Sequence, residues 1–240
     1  MRGAALRTLG LLGGMSWEST ASYYRLLNEG VKARRGGLSS AQLLLWSVDF
    51  ASIAAQQAAG DWATLAHTLG DAGNRLAQAG AGALLICANT MHRLYDDVVE
   101  ASGVPVIHIA DGAGKALADA QLNRPVLLGT RFTMEGDFYL ARLRDRFGIE
   151  AVTPDADERA LVHDVIYDEL CQGVVREASR RTYLAIIERL LSEGADSVIL
   201  GCTEIGLMLR EQDVAVPLFD TAKLHAAAGV DWLLADEGKA

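Results

Sequence analysis

The chain has 240 residues, of which 50% are hydrophobic and 22% are charged, and its formal net charge is −9. This length and composition predict one large or two small globular domains, and the negative charge argues against a nucleic-acid partner. No apolar run is long enough to cross a bilayer or to form a signal peptide, so we expect no membrane association and a cytoplasmic protein. The cysteines are odd in number and predict no disulfide framework: Cys87, Cys171 and Cys202.

Short apolar runs alternate with helical patterns along the whole chain. In chain order the predicted strands are residues 8–12, 42–48, 83–86, 104–109, 125–129, 197–201 and 216–219. The predicted helices between them are residues 17–34, 62–79, 112–120, 137–147, 156–171 and 177–192. Such alternation is typical of βαβ units, and it predicts an α/β fold with mainly parallel sheets flanked by helices.

The order of these segments repeats once. A strand running into a glycine turn occurs at Gly13 and again at Gly129, and a buried strand ending in cysteine follows 74 and 73 positions later, at Cys87 and Cys202. A third matched strand, with a Val-Pro pair, closes each half. The repeat predicts two similar, pseudo-symmetric lobes, each with one cysteine at an equivalent strand end.

Ligands bind beyond the carboxyl ends of the strands in open α/β sheets, so Cys87 and Cys202 are expected to face a shared cleft between the lobes. A following helix should lower the pKa of each thiol. One thiolate could then remove a proton from a carbon next to a carboxylate, while the opposite thiol supplies a proton to the other face. Such a two-base arrangement inverts a stereocentre.

The substrate carboxylate needs hydrogen-bond donors. Backbone N–H groups in the turn from Gly13 to Ser16 are candidates, together with the hydroxyl groups that follow strand ends, on Thr90, Thr130 and Thr203.

Three segments carry a specific resemblance: Leu12-Gly-Gly-Met-Ser-Trp-Glu-Ser-Thr20, Cys87-Ala-Asn-Thr-Met-His92 and Gly201-Cys-Thr-Glu204. They resemble the motifs of the aspartate/glutamate racemase family, and residues 128–134 form a further matching block. The resemblance implies cofactor-independent amino-acid racemisation by a cysteine pair, with a small amino-acid substrate and usually a homodimer. It implies substrate contacts from motif positions and their neighbours: Met15, Ser16, Asn89, Thr90, Thr130, Thr133, Tyr167 and Thr203.

Aspartate-specific relatives resemble one another in having two basic residues that bind the side-chain carboxylate. The corresponding positions here hold Gln56 and Cys171, and neither is cationic. Losing two charge-assisted contacts should remove selectivity for acidic side chains. The chain therefore looks closer to the broad-specificity amino-acid racemase subgroup, whose members accept neutral polar side chains. His163 and Arg131 are nearby candidates that could restore a cation.

The resemblance also implies a discontinuous first domain, completed by the last helix of the chain. We predict a first lobe of residues 1–105 plus 215–240 and a second lobe of residues 106–214, with the active site in the cleft between them.

Other patterns are weaker. The histidines lack the spacing of a metal site, although His92 could tune the pKa of Cys87. Glu204 is interpreted as a partner of a helix dipole. The four tryptophans fall on apolar faces and are expected in the core: Trp17, Trp46, Trp62 and Trp232. Two alternative functions stay open, a decarboxylase or cis–trans isomerase of small dicarboxylates, and a thiol-based module for small-ligand binding or redox sensing.

Overall fold

The computed structural model describes residues 7–235. Its strands are β1 (Leu9–Gly13), β2 (Leu43–Ser47), β3 (Ala83–Ile86), β4 (Val106–Ile107), β5 (Pro125–Gly129), β6 (Ser197–Gly201) and β7 (Leu218–Asp220). Its α-helices are α1 (Trp17–Arg35), α2 (Phe50–Ala59), α3 (Trp62–Gln78), α4 (Tyr95–Ser102), α5 (Ile109–Asp119), α6 (Arg131–Glu135), α7 (Asp137–Phe147), α8 (Ala156–Asp168), α9 (Glu177–Ser192), α10 (Ile205–Met208) and α11 (Thr221–Leu234). Short 3₁₀ helices cover Thr90–Leu94, Leu170–Gln172 and Glu211–Asp213.

The first sheet is entirely parallel and has the strand order β2-β1-β3-β4. Strands β1 and β3 are central and buried along their whole length, because both faces are covered by helices. Leucine and isoleucine side chains of these strands pack against α3 and α4 in one apolar core. The cysteine-bearing strand β3 therefore has a rigid support.

The second sheet repeats this arrangement with the parallel order β5-β6-β7. Its cysteine-bearing strand, β6, is again central. A strand equivalent to β2 is replaced by a single parallel bridge from Val126 to Val152. Together the two sheets confirm the predicted fold class, two parallel α/β lobes flanked by helices.

The chain divides into two compact units. The first comprises the described residues up to His108 and those from His225 on, and the second comprises Ile109–Leu224. The predicted limits were 105/106 and 214/215. The second limit differs because β7 pairs with β6, so the segment around it belongs to the second sheet.

Some sequence expectations were wrong in detail. Helix α2 was not predicted, although Asp49 caps its first turn and Gly60 ends it in a left-handed conformation. The helix predicted to reach residue 171 ends at Asp168. Trp17 and Trp46 are 68% and 38% exposed, so they do not belong to the core.

Within residues 7–235, no helix is long and apolar enough to cross a membrane.

Candidate functional site

Cys87 is the first residue beyond the carboxyl end of β3, and it is fully buried. Its backbone N–H donates to the carbonyl of Leu12 at 2.9 Å, which continues the pairing of β3 with β1. Its own carbonyl accepts a hydrogen bond from Ser19 Oγ at 3.2 Å. The backbone around the thiol is therefore fixed on both sides.

The turn after β1 lies next to Cys87 in this sheet. Ser16 caps α1, and its Oγ accepts a hydrogen bond from Ser19 N at 3.3 Å. Thr20 Oγ1 accepts from Gly14 N at 2.8 Å and donates to the Ser16 carbonyl at 2.9 Å. Gly14 has a φ of +91°, and Met15, which follows it, is buried. The Gly14 N–H, one of the expected donors to the substrate carboxylate, is thus already paired within the protein.

Asn89 and Thr90 follow Cys87 after one intervening alanine, and both side chains are buried. The 3₁₀ helix that begins at Thr90 takes the chain away from the sheet, and the Asn89 carbonyl accepts a hydrogen bond from His92 N at 3.0 Å. The first unit therefore gathers five of the predicted site residues around the ends of β1 and β3: Met15, Ser16, Cys87, Asn89 and Thr90.

Cys202 occupies the equivalent place in the second unit, directly after β6, and is 9% exposed. Its Sγ donates to Glu204 Oε2 at 2.9 Å, and Thr203 Oγ1 donates to the same oxygen at 2.6 Å. The Glu204 side chain makes no capping hydrogen bond to α10, which has only four residues. Its interpretation as a partner of a helix dipole stays a prediction, since Glu204 is the N-cap residue of this short helix but makes no capping hydrogen bond.

Thr130 follows β5 beside Cys202, because Gly129 and Gly201 are paired in the sheet. Its Oγ1 caps α6 by accepting from Thr133 N at 3.4 Å, and the two hydroxyl oxygens lie 3.3 Å apart. Both threonines are buried. Thr130 thus repeats the role of Ser16 in the first unit, as the internal repeat implies.

Tyr167 and Cys171 pack against the apolar cluster that contains Cys202. Burial raises the pKa of the Tyr167 hydroxyl, and the nearby charges of Cys171, Cys202 and Glu204 raise it further. These groups consequently share one environment. The second unit places together all the site residues that were predicted in it: Thr130, Thr133, Tyr167, Cys171, Cys202 and Thr203.

Gln56 lies in the last turn of α2 and is partly buried. Its Oε1 is buried and has no hydrogen-bond partner within the described part of the chain. A buried acceptor without a donor is energetically costly, so this oxygen is suited to receive a hydrogen bond from a ligand.

The predicted lowering of the thiol pKa values is wrong for this structure. Burial raises the pKa of Cys87, and burial followed by the charge of Glu204 raises the pKa of Cys202 well above its ordinary value. The segments that follow the cysteines are a 3₁₀ helix and a four-residue helix. Their weak dipoles do not offset the loss of solvation.

A cluster of buried histidines lies beside the segment that follows Cys87, and the spacing of histidines in the sequence did not predict it. His92 Nδ1–H donates to the Ala88 carbonyl at 2.8 Å, since a carbonyl can only accept. The His92 ring lies 4.6 Å from the ring of His108 and 5.5 Å from that of His225. His225 donates through Nε2 to the Ile107 carbonyl at 2.7 Å, and its Nδ1 lies 2.8 Å from the hydroxyl of Tyr23.

This cluster should make the first unit sensitive to acid. Burial, followed by the charges of His108 and His225, lowers the pKa of His92 well below its ordinary value. The folded protein therefore keeps His92 neutral, while the unfolded chain binds a proton below about pH 6.5. We expect the free energy of unfolding to fall by up to about 1.4 kcal/mol per pH unit below that pH.

Urea unfolding at pH 7, 6 and 5 measures this dependence. The variant His92→Gln should have a shallower pH dependence than the wild type, whereas His67→Gln, at an exposed surface position, should keep the wild-type slope. An unchanged slope in His92→Gln contradicts the assignment.

No group of three or more metal-ligating side chains occurs among residues 7–235.

Comparison with known proteins places the chain among racemases. The sequence model of the Asp/Glu/hydantoin racemase family matches residues 12–229. The chain belongs to this family. Membership supports racemase, and therefore isomerase, activity on amino acids.

Solved structures from this family share the fold. A candidate Asp/Glu racemase from Yersinia pestis is 47% identical, with a TM-score of 0.89 over 95% of this chain and 100% of that one. An aspartate racemase homologue from Pyrococcus horikoshii OT3 is 30% identical, with a TM-score of 0.79 over 94% and 98%. In sequence, the broad-specificity amino-acid racemase RacX of Bacillus subtilis is 24% identical over 69% of this chain and 70% of its own length.

Proposed function

We propose that this protein racemises amino acids without a cofactor, using Cys87 and Cys202 as paired acid and base. The observation that carries the proposal is the repetition of the site: each unit has a central strand that ends in a buried cysteine followed by polar residues. A single structural cysteine would not account for this equivalence.

Racemisation requires two groups because a single base tends to return the proton to the face from which it came. In the proposed reaction, one thiolate removes the Cα proton and its electron pair stays on carbon, delocalised into the substrate carboxylate. The opposite thiol then gives its proton to the other face. The two cysteines exchange roles in the reverse direction.

The raised pKa values of both thiols fit a site that is completed by substrate. A buried thiolate is unfavourable without a nearby positive charge, and the ammonium group of a bound amino acid supplies one. We therefore propose that thiolate formation at Cys87 or Cys202 accompanies substrate binding. In the empty protein both groups then stay mainly protonated and react only slowly.

The side-chain contacts favour neutral polar substrates over aspartate. Gln56 Oε1 is a buried acceptor that suits a hydroxyl or amide donor, and the side chain has no positive charge to pair with a carboxylate. Tyr167, beside Cys202, has a raised pKa and is also uncharged at neutral pH. The name of the Bacillus subtilis relative, a broad-specificity racemase, agrees with this proposal.

A racemisation panel in heavy water tests the function. We expect inversion and Cα deuteration of several L-amino acids, with homoserine and other neutral polar substrates faster than aspartate and without release of CO2. Strong activity on aspartate alone contradicts the specificity, and CO2 release would favour a decarboxylase. Stable disulfide formation in air with no Cα exchange would favour a redox module. Sedimentation of the same sample should give the mass of a homodimer.

A further inference from the structure

The two cysteines have different neighbours although their strands are equivalent. Cys202 Sγ donates to a carboxylate, Glu204 Oε2, at 2.9 Å. The hydrogen bond of the Cys87 thiol within the described residues goes to the Leu85 carbonyl at 4.0 Å. The position that matches Glu204 in the first unit is Asn89, whose amide cannot accept a proton as a base.

The Glu204 carboxylate is held against the thiol rather than turned to solvent. It is 5% exposed, and the hydroxyl of Thr203 donates to the same oxygen that receives the Cys202 thiol. A buried carboxylate is costly, so its retention in contact with a thiol indicates a role for the charge.

Resting on the proposed function, we propose that Glu204 is the proton acceptor that generates the Cys202 thiolate. The S–H bond breaks and its electron pair stays on sulfur, while an O–H bond forms on Glu204 Oε2. The pair keeps a single negative charge throughout, so no proton has to leave the buried site. The thiolate then takes the Cα proton, and Glu204 holds the sulfur's original proton.

A purely electrostatic role for Glu204 makes the opposite prediction. The charge of Glu204, after burial, is a cause of the raised pKa of Cys202. If the carboxylate acted only by repelling the thiolate, its neutralisation would make Cys202 more reactive. If it accepts the thiol proton, its neutralisation makes Cys202 less reactive. The two roles are therefore separable by a measurement on the thiol itself.

The test is alkylation by iodoacetamide between pH 6 and pH 9, with modification of Cys202 and Cys87 followed separately by peptide mass spectrometry. Glu204→Gln keeps the shape and an oxygen acceptor for Thr203. Glu204→Asp keeps the charge but shortens the side chain. Glu211→Gln is the matched control, because Glu211 also follows β6 but is exposed.

In Glu204→Gln we expect Cys202 to be alkylated at least about tenfold more slowly at pH 7, with recovery towards pH 9. In Glu204→Asp the alkylation rate of Cys202 should be intermediate. The alkylation rate of Cys87 should equal that in the wild type, and Glu211→Gln should leave the rates of both cysteines unchanged. Equal or faster alkylation of Cys202 in Glu204→Gln overturns the proposal, provided thermal unfolding shows the variant to be folded. If it is not folded, Glu204→Asp decides by the same criterion, since alkylation at or above the wild-type rate overturns the proposal. Because the reading is taken without substrate, it is independent of the racemisation panel.

Discussion

Serine in place of either Cys87 or Cys202 is expected to lower the rate of racemisation by about a thousandfold, within the range attributed to a positioned acid or base. A serine hydroxyl has nearly the shape of the thiol but is a far weaker acid, so it can neither supply nor accept the proton at neutral pH. Chiral chromatography of the product from a substrate identified in the panel measures the loss.

The two variants should also differ from each other in a defined way. Each keeps one cysteine, so each should exchange the Cα proton of one enantiomer for deuterium without inverting it, and the enantiomer should be opposite in the two variants. Full turnover in either Cys87→Ser or Cys202→Ser excludes the two-base mechanism.

Cys171→Ser removes a thiol next to Cys202 and is expected to change KM more than kcat.

The second large effect is expected in the turn after β1. A Cβ atom at Gly14 would lie 2.2 Å from the carbonyl oxygen and 2.5 Å from the nitrogen of Val48, both of them backbone atoms. The φ of +91° is also unfavourable for any side chain. We expect Gly14→Ala to lower the free energy of unfolding by about 3 kcal/mol.

Gly80 provides a control with nearly the same backbone angle. Its φ is +102°, but no atom lies within 4 Å of a Cβ placed there. Gly80→Ala should cost about 1 kcal/mol, for the backbone angle alone. Calorimetry should show a midpoint about 6 to 12 °C lower for Gly14→Ala than for the wild type. Equal losses in the two variants would show that the contact with Val48 is relaxed without cost.

Sequence patterns were sufficient for the strands because parallel strands buried on both faces are continuous apolar runs. All seven predicted strands are present within a few residues. The internal repeat located Cys87 and Cys202, since matched motifs at matched separations need no knowledge of side-chain contacts. The exposed state of Trp46 could not be predicted, because strand periodicity does not tell an edge strand from a central one.

The electrostatics of the site could not be predicted from sequence either. The order Cys-Thr-Glu suggests that Glu204 faces the first turn of a helix. In the structure the helix is one turn long, and the carboxylate returns to the Cys202 thiol instead. The histidine cluster brings together residues 92, 108 and 225, which no local spacing rule connects.

The hydrogen bond from His225 to the Ile107 carbonyl has a consequence for how the chain is assembled. The first unit is interrupted after His108 and resumes at His225, within α11. Ile107 and His225 therefore lie at the two ends of the interruption. The whole segment Ile109–Leu224 is thus inserted into the first unit between two positions that a side-chain hydrogen bond joins. An insertion with such closely spaced ends can be exchanged for a short turn, so the first unit is a natural candidate for excision as an independent fragment.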